Sequence, residues 1–299
     1  MSGRRAASLL ERGARRRLWF GLSTVLGLAP KGFFIPYRYA GARPAAGARP
    51  TYRALEALFA ANEGRFQETL DLLAPLAADL TRIGGEPAPQ PRWTQDWFPR
   101  LDAAVAYAMV RRRRPARIVE VGSGHSTRFL ARAVADGGPA SRITAIDPAP
   151  RAPLRGLGIE LIEASLQACG LAPFAGLDTG DLVMIDSSHI LMPGSDVDQL
   201  LCHVLPALPT GVLVQIHDIF LPDDYPAAWD WRGYNEQLAV AALLTGGAWQ
   251  PLFASHYAAT RMSEAVARSP AGSLPLSAEA VESSLWLEKV GDSMPITPI

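Results

Sequence analysis

Short apolar runs rich in β-branched residues recur through the second half of the chain and alternate with stretches of helical spacing. Such runs are typical of buried strands, and repeated strand–helix units predict a parallel sheet covered by helices on both faces. We therefore expect an α/β protein with a doubly wound, mostly parallel, seven-stranded sheet. The predicted strands are 117–121, 142–147, 158–163, 181–186, 211–217, 249–255 and 284–290.

The residues before the first predicted strand have the spacing of amphipathic helices. Leucine and phenylalanine recur at helical intervals over 51–83, which predicts two helices broken near 62–64. Further helices are expected over 101–110, 196–205 and 235–244, the second of them stopped by Pro206. These changes of pattern divide the chain into a basic arm with a linker (1–45), a helical region (46–115), an α/β domain (116–290) and an irregular tail (291–299).

A glycine turn ends the first predicted strand, in the segment Glu120-Val-Gly-Ser-Gly-His-Ser126. Gly122 and Gly124 break the strand, and Ser126 or Thr127 can cap the helix that follows. Bare glycine backbone and the free N–H groups of a helix N-terminus suit an electron-rich ligand. The turn therefore predicts a cofactor site, with an ordinary glycine turn of an α/β protein as the alternative.

The second predicted strand ends in an acid, Asp147. In doubly wound folds an acid about 20 residues beyond the glycines binds a pair of ribose hydroxyls. A dinucleotide fingerprint would also need a third glycine, and this chain has Thr127 there. A nicotinamide cofactor is therefore disfavoured.

Glu120, the glycine turn and Asp147 together resemble the class I S-adenosylmethionine (SAM) methyltransferases. The resemblance implies that Gly122 and Gly124 pack against the methionine part of SAM and that Asp147 holds its ribose hydroxyls. It also implies a substrate lid before the first strand, with Trp93 and Trp97 as platform residues unless they belong to the core. The residues expected to bind SAM are Glu120, Gly122, Ser123, Gly124, His125, Ser126, Asp147, Pro148, Ser165 and Asp186.

Polar residues also end the next three predicted strands. The segments Ile162-Glu-Ala-Ser-Leu-Gln167, Ile185-Asp-Ser-Ser-His189 and Ile216-His-Asp218 resemble motifs of metal-dependent small-molecule O-methyltransferases of the catechol and macrolide-sugar types, over about residues 92–290. The resemblance implies Ser165 and Gln167 beside the adenine, Asp186, His217 and Asp218 as metal ligands, and His189 with Asp186 as catalytic residues. The chain departs from the catechol type in having His instead of Lys at position 189, and His at 217.

The chemistry implied by the resemblance is O-methylation by SAM of a small acceptor such as a sugar, a phenol or a natural product. A divalent metal (Mg, Mn, Fe or Zn) would acidify the acceptor hydroxyl, and His189 would take its proton near neutral pH. Two alternatives remain: a metal-dependent enzyme that uses Asp186, His189, His217 and Asp218 without SAM, and a SAM-binding scaffold without turnover. The histidines could also simply orient loops.

Charge is distributed unevenly along the chain. The formal net charge is zero, which gives no indication of a nucleic-acid partner, yet residues 1–50 hold ten cations and one acid. An apolar run over 18–29 is too short to span a bilayer, and Pro30 directly after the possible cleavage point disfavours export. We expect a cytoplasmic protein whose residues 1–40 pack on its own fold or on a second subunit of a homo-oligomer, with peripheral docking on a membrane as the alternative.

The segment after the fifth predicted strand, 219–237, is rich in proline, aromatic and acidic residues. This composition and placement are typical of a loop that selects the substrate. Tyr225, Trp229, Trp231 and Tyr234 would then clamp an aromatic or sugar acceptor, unless they pack over the sheet edge.

Overall fold

The computed structural model describes residues 2–138 and 141–292, and the side chains of the first helix from Gly13 onward. The predicted tail lies outside the described residues from position 293 on. The chain forms two compact units, Met1–Thr51 with Asp223–Tyr234, and Tyr52–Pro222 with Asn235–Ile299. The division into four segments stays a prediction.

The described residues of the second unit contain a seven-stranded sheet. Its strands are β1 (Arg117–Val121), β2 (Arg142–Ile146), β3 (Glu160–Ile162), β4 (Leu182–Ile185), β5 (Leu213–Ile216), β6 (Trp249–Ala254) and β7 (Leu285–Lys289). The order across the sheet is β3-β2-β1-β4-β5-β7-β6, and the neighbouring pairs are parallel except the two that β7 makes. The predicted doubly wound, mostly parallel sheet is confirmed.

The first unit contains helix α1 (Ser2–Val25). In the second unit, helices surround the sheet. They are α2 (Arg53–Ala60), α3 (Glu63–Asp71), α4 (Ala77–Arg82), α5 (Arg100–Arg113), α6 (His125–Gly137), α7 (Leu166–Cys169), α8 (Asp196–Gln199), α9 (Leu205–Ala207), α10 (Glu236–Thr245), α11 (Ser255–Arg261) and α12 (Ser263–Arg268). A π-helical turn, Leu200–Val204, joins α8 to α9.

The helices before the sheet differ from the prediction. Residues 51–83 form three helices, not two. Pro75 has no N–H, and its ring would clash with the carbonyl of Asp71, so α3 ends at Asp71. The helices α11 and α12, between β6 and β7, were not predicted.

Helix α5 is buried on all sides over Leu101–Val110. Its buried residues are almost all apolar, as expected for a helix without a solvent face. Asp102 is the acid in this stretch, and its side chain is fully buried. The helix thus carries one carboxylate into the core.

The carboxyl ends of the parallel strands carry the polar residues. Asp147, Asp186 and His217 follow directly after the last residues of β2, β4 and β5, so each predicted strand runs past the end of the observed one. The strand order reverses between β1 and β4, which opens a crevice beyond the carboxyl ends of these two strands.

Gly122 lies where the turn after β1 passes the end of β4. Its φ is +85°, and a Cβ atom at this position would overlap the backbone oxygen of Asp186. The approach is held by hydrogen bonds from Gly122 N to the carbonyl of Ile146 (2.9 Å) and from Asp186 N to the carbonyl of Val121 (2.8 Å). A side chain at position 122 would therefore disturb two turns at once.

We expect Gly122→Ala to lower the free energy of unfolding by more than about 1 kcal/mol, because alanine opposes both the positive φ and the close contact. Urea unfolding of the variant and of wild type would measure the loss. Gly64→Ala is the matched control: Gly64 lies inside α3 with open space around it, so alanine there should be neutral or stabilising. Equal stability of Gly122→Ala and wild type would contradict the expectation.

Candidate functional site

The turn after β1 leaves backbone open at its tip. A Cβ atom on Gly124 would find no atom within 4 Å, so the space in front of this residue is free for a ligand. Helix α6 begins at His125, and the Gly124 N–H donates to Thr127 Oγ1 (2.9 Å). The N-cap is Gly124, so neither Ser126 nor Thr127 occupies that position. Thr127 does cap the helix from position N3, because its side chain accepts this hydrogen bond.

Glu120 is the buried acid of this turn. Its Oε1 accepts a hydrogen bond from Ser126 Oγ (2.6 Å), whereas its buried Oε2 has no hydrogen-bond partner in the described part of the chain. Burial raises the pKa of Glu120 to about 8, against the lowering effect of hydrogen bonds from Ser126 and Thr127. The missing partner of Oε2 makes this carboxyl suited to a cation.

Asp147 ties the glycine turn to the segment after β2. Its Oδ2 accepts hydrogen bonds from Ser123 N (2.9 Å) and Ser123 Oγ (2.8 Å), and its Oδ1 accepts from Ala149 N (2.8 Å). A carboxylate has about four acceptor sites, so one of those on Oδ1 remains for a ligand hydroxyl. Pro148, also predicted to bind the cofactor, is exposed beside it.

Two residues predicted to lie beside the adenine make hydrogen bonds within the protein. Ser165 is the N-cap of α7, and its Oγ accepts from Ala168 N (3.3 Å). Gln167 Nε2 donates to the carbonyl of Gly194 (3.2 Å). Their proposed cofactor contacts stay predictions.

The ends of β4 and β5 bring four predicted site residues together. His189 Nε2 lies 3.3 Å from Asp186 Oδ1 and 3.5 Å from Asp218 Oδ2. His217 Nδ1 lies 3.6 Å from Asp186 Oδ1 and 3.3 Å from Asp218 Oδ1. The two imidazoles therefore face the same pair of carboxylates.

A second carboxylate stands behind each imidazole, and sequence reasoning missed both. His189 Nδ1 lies 2.9 Å from Glu236 Oε2, and His217 Nε2 lies 3.3 Å from Asp102 Oδ2. Both acids are fully buried. Asp102 had one weak signal, since it is an acid within the otherwise apolar pattern of α5, whereas Glu236 stands in no recognisable motif.

This surrounding negative charge changes the proton affinities. Burial alone would lower the pKa of His189, but hydrogen bonds with Asp186 and Glu236 and the charge of Asp218 raise it well above the ordinary value. Burial likewise opposes charge on His217, yet Asp218, Asp102 and Asp186 raise its pKa well above the ordinary value. These contacts therefore favour the cationic, doubly protonated form of both imidazoles.

The carboxylate between the histidines responds in the opposite direction. Burial would raise the pKa of Asp186, but hydrogen bonds from His189 and His217 outweigh it and hold the pKa far below the ordinary value. The Asp186 side chain keeps 39% of its surface exposed, against 4% for His189 and 5% for His217. Asp186 is therefore the member of the cluster that a substrate reaches first.

The backbone at this cluster is unusual. In the described part of the chain three non-glycine residues have positive φ, and two of them are His189 (60°) and Asp218 (56°). Asn235 supports the loop at His189, because its N–H donates to the carbonyl of His189 (3.1 Å) and its Oδ1 accepts from Leu191 N (2.7 Å). Backbone held in such conformations is concentrated at functional sites.

The expected metal ligands, Asp186, His217 and Asp218, thus lie together, but they contact one another as ion pairs. Within residues 2–138 and 141–292, no group of three or more His, Cys, Asp or Glu side chains is arranged to hold a metal ion. The metal stays a prediction.

The predicted platform aromatics fall into different environments. Trp93 is core, packed on Phe129, whereas Trp97 keeps 61% of its surface exposed. Trp97 stacks on the buried ring of His125, with centroids 5.6 Å apart and planes 6° from parallel. Burial and the nearby cations Arg128 and Arg92 lower the pKa of His125 to about 4, so its ring is neutral.

The aromatic residues predicted to clamp an acceptor belong to the first unit, where they surround one guanidinium. Arg232 lies over the ring of Trp229 at 4.0 Å, with Tyr234 at 5.3 Å and Trp231 at 5.8 Å. Tyr225 packs edge-on against Tyr234. The acceptor clamp stays a prediction.

Structural comparison finds several methyltransferases among the proteins similar to this chain. Structural similarity is found to the methyltransferase of Podospora anserina bound to S-adenosylhomocysteine (SAH), at 16% identity and a TM-score of 0.41, covering 87% of this chain and 100% of that one. Two further structures are O-methyltransferases: TomG of Streptomyces achromogenes, involved in tomaymycin synthesis and bound to SAM (16%, TM-score 0.36, 75% and 90% covered), and that of Bacillus cereus bound to SAH (12%, TM-score 0.36, 75% and 91%). At TM-scores below 0.5 these resemblances support no conclusion about the substrate. No curated protein shows significant sequence similarity to the chain.

The sequence itself matches a known family over residues 119–219, and the family model is described as a methyltransferase domain. The match runs from within β1 to just past β5. It therefore includes the glycine turn, Asp147 and the four residues clustered at the ends of β4 and β5. This part of the chain is a methyltransferase domain, and the prediction of a class I SAM-dependent methyltransferase is confirmed.

Proposed function

We propose that the protein transfers the methyl group of SAM to a hydroxyl oxygen of a small molecule. The observation that carries this proposal is the contact between Gly122, in the turn after β1, and the backbone of Asp186 at the end of β4. Because of this contact, the open glycine turn and the cluster around Asp186 adjoin at one crevice. Methyl transfer to oxygen needs such a pairing of a cofactor site with groups that hold the proton of the acceptor.

Charge supports the cofactor part of the proposal. SAM carries a sulfonium and an ammonium, and the buried Oε2 of Glu120 lacks a partner. The remaining acceptor site on Asp147 Oδ1 can take a ribose hydroxyl. The methyltransferase domain argues against the alternative of a metal-dependent enzyme without SAM.

In the proposed reaction, bound SAM would supply a methyl group that is activated by its positively charged sulfur. The acceptor hydroxyl donates to the exposed edge of Asp186. In the fraction of protein whose His189 is neutral, its Nε2, 3.3 Å from Asp186 Oδ1, takes the acceptor's proton and keeps it while the acceptor oxygen is methylated. The positive charges of His189 and His217 favour the oxyanion that forms on the acceptor.

A divalent metal at Asp186, His217 and Asp218 is a finer part of the proposal. Mixed imidazole and carboxylate donors suit Mn, Fe or Zn better than Mg. The acids behind the imidazoles, Asp102 and Glu236, are the kind of support that metal-binding histidines have. The ion pairs within the cluster would have to open, and the metal would then acidify the acceptor hydroxyl. Full turnover by protein shown to be metal-free would contradict this part.

The proposal also includes a small-molecule acceptor held by the aromatic clamp, a cytoplasmic location and a homo-oligomeric state. The same holds for a contact of residues 1–40 with a membrane or a second subunit.

The role of Asp147 is tested by titrating SAH calorimetrically. We expect Asp147→Ala to weaken SAH binding at least about tenfold, or about 1.4 kcal/mol, because the ribose loses its acceptor and the turn loses two hydrogen bonds. Glu68→Ala is the matched control, since Glu68 is an exposed acid of α3, outside the residues predicted to bind SAM. Unchanged binding by Asp147→Ala would remove Asp147 from the site, and no binding by wild type would defeat the cofactor proposal.

Glu120 predicts a pH dependence of SAM affinity. A cation binds the ionised carboxyl, whereas the free protein holds this carboxyl protonated below a pKa of about 8. Affinity should therefore fall as the pH is lowered from 8 to 6, by up to about tenfold per pH unit. Glu120→Gln keeps the size of the side chain but cannot titrate, so its affinity should lose this slope. Titration of SAM itself affects wild type and Glu120→Gln equally. If SAM affinity depended on pH in the same way in both proteins, Glu120 would be ruled out as the partner of the cation.

The acid–base role of the cluster is tested by turnover, followed as SAH formation with an acceptor found by screening hydroxylated small molecules. We expect His189→Gln to reduce kcat by about 10²–10⁴ while the Kd for SAH stays unchanged. Glu236→Gln should reduce kcat less, because the imidazole remains but loses its charged partner. The control is His203→Gln, an exposed histidine of the π-helical turn. Wild-type kcat in His189→Gln would exclude His189 from the reaction.

A further inference from the structure

The first unit exposes large apolar side chains. Trp19, Leu26, Leu28, Phe33, Phe34 and Ile35 each keep 61–71% of their surface accessible. Soluble proteins rarely expose so many bulky apolar groups within a short segment. We name this surface, with Arg15, Leu22 and Lys31, the arm surface.

Helix α1, which carries some of these exposed side chains, is packed on its other face. Helix α1 uses one face inside the unit: Gly13 lies against the ring of Trp231, Arg16 lies over the same ring at 5.9 Å, and Arg17 pairs with Asp230 at 3.3 Å. At 3.6 residues per turn, Leu18, Trp19, Leu22, Val25 and Leu26 fall on the opposite face. The apolar face of α1 is therefore left over after its internal contacts are made.

The segment 13–51 carries only positive charge, of which Arg17 and Arg49 pair with Asp230 and Asp224 of the same unit. Residues 13–51 contain seven cations (Arg15, Arg16, Arg17, Lys31, Arg38, Arg43, Arg49) and no acid. Arg15 falls on the apolar face of α1, and Lys31 and Arg38 flank the exposed aromatic segment. Segments that lie in a membrane interface and bind anionic lipid typically combine arginine and lysine with exposed Trp, Phe and Leu.

We propose that the arm surface docks on the interface of an anionic lipid bilayer. A second copy of the chain fits less well, because a twofold interface pairs a surface with itself and would bring like charges together. The segment lies on the bilayer and not through it: among the described residues no helix is long and apolar enough to cross a membrane. This inference is independent of the methyl acceptor and of the roles given to His189 and Asp147.

The test is co-sedimentation of the full-length protein with vesicles of phosphatidylcholine alone or with about one third phosphatidylglycerol. We expect the protein to bind the anionic vesicles at least tenfold more tightly than vesicles of phosphatidylcholine alone. Binding to the anionic vesicles should weaken as the salt concentration is raised. The double variant Phe33→Ser/Phe34→Ser should lose binding at least tenfold. A second variant, Arg15→Gln/Lys31→Gln, should lose the preference for anionic lipid.

The matched control is Leu276→Ser/Val290→Ser, which replaces two exposed apolar residues of the second unit and should bind vesicles as wild type does. Circular dichroism and SAH titration would show that each variant is folded. The proposal is overturned if both double variants of the arm surface bind vesicles as wild type does, or if wild type ignores anionic vesicles. It is also overturned if the arm surface forms a dimer, seen by sedimentation, that Phe33→Ser/Phe34→Ser dissociates while no vesicle binding occurs.

Discussion

The pairing of two buried imidazoles with carboxylates is the interaction on which the site depends. His189 and His217 have almost no access to water, and a charge in such a position is costly unless it is paired and hydrogen-bonded. Each ring has an acid on both sides: Asp186 and Asp218 in front, and Glu236 or Asp102 behind. Loss of any one acid would leave buried charge without its partner. The cluster therefore acts as one unit.

The fold supports this unit from several elements. Strands β4 and β5 end at Asp186 and His217, α5 carries Asp102 into the core, and α10 begins at Glu236. His189 and Asp218 both have positive φ, so strained backbone is concentrated at the cluster. Such backbone is tolerated because the paired side chains and the Asn235 contacts hold it in place.

Glu120 shows the complementary situation on the cofactor side. Its carboxyl is as buried as those of Asp102 and Glu236, yet one of its oxygens has no hydrogen-bond partner among the described residues. Burial raises the pKa of Glu120 to about 8, whereas the histidines lower the pKa of Asp186. The two halves of the crevice thus differ in electrostatics: in the cluster each imidazole already faces carboxylates on both sides, whereas the glycine turn retains a site for positive charge. A cationic cofactor beside a cluster that stabilises an oxyanion is a consistent arrangement for methyl transfer to oxygen.

The sequence by itself determined the sheet and the residues at its carboxyl ends, since β-branched runs, glycine turns and terminal acids are local signals. It also located Asp147, Asp186, His189, His217 and Asp218. Only the tertiary structure decided that Asp102 and Glu236 complete the cluster, because these contacts join residues 115 and 47 positions apart and no local pattern encodes them. The same reason applies to α1: its apolar run is visible in the sequence, but which face of the helix stays exposed depends on what packs against Gly13 and Arg16.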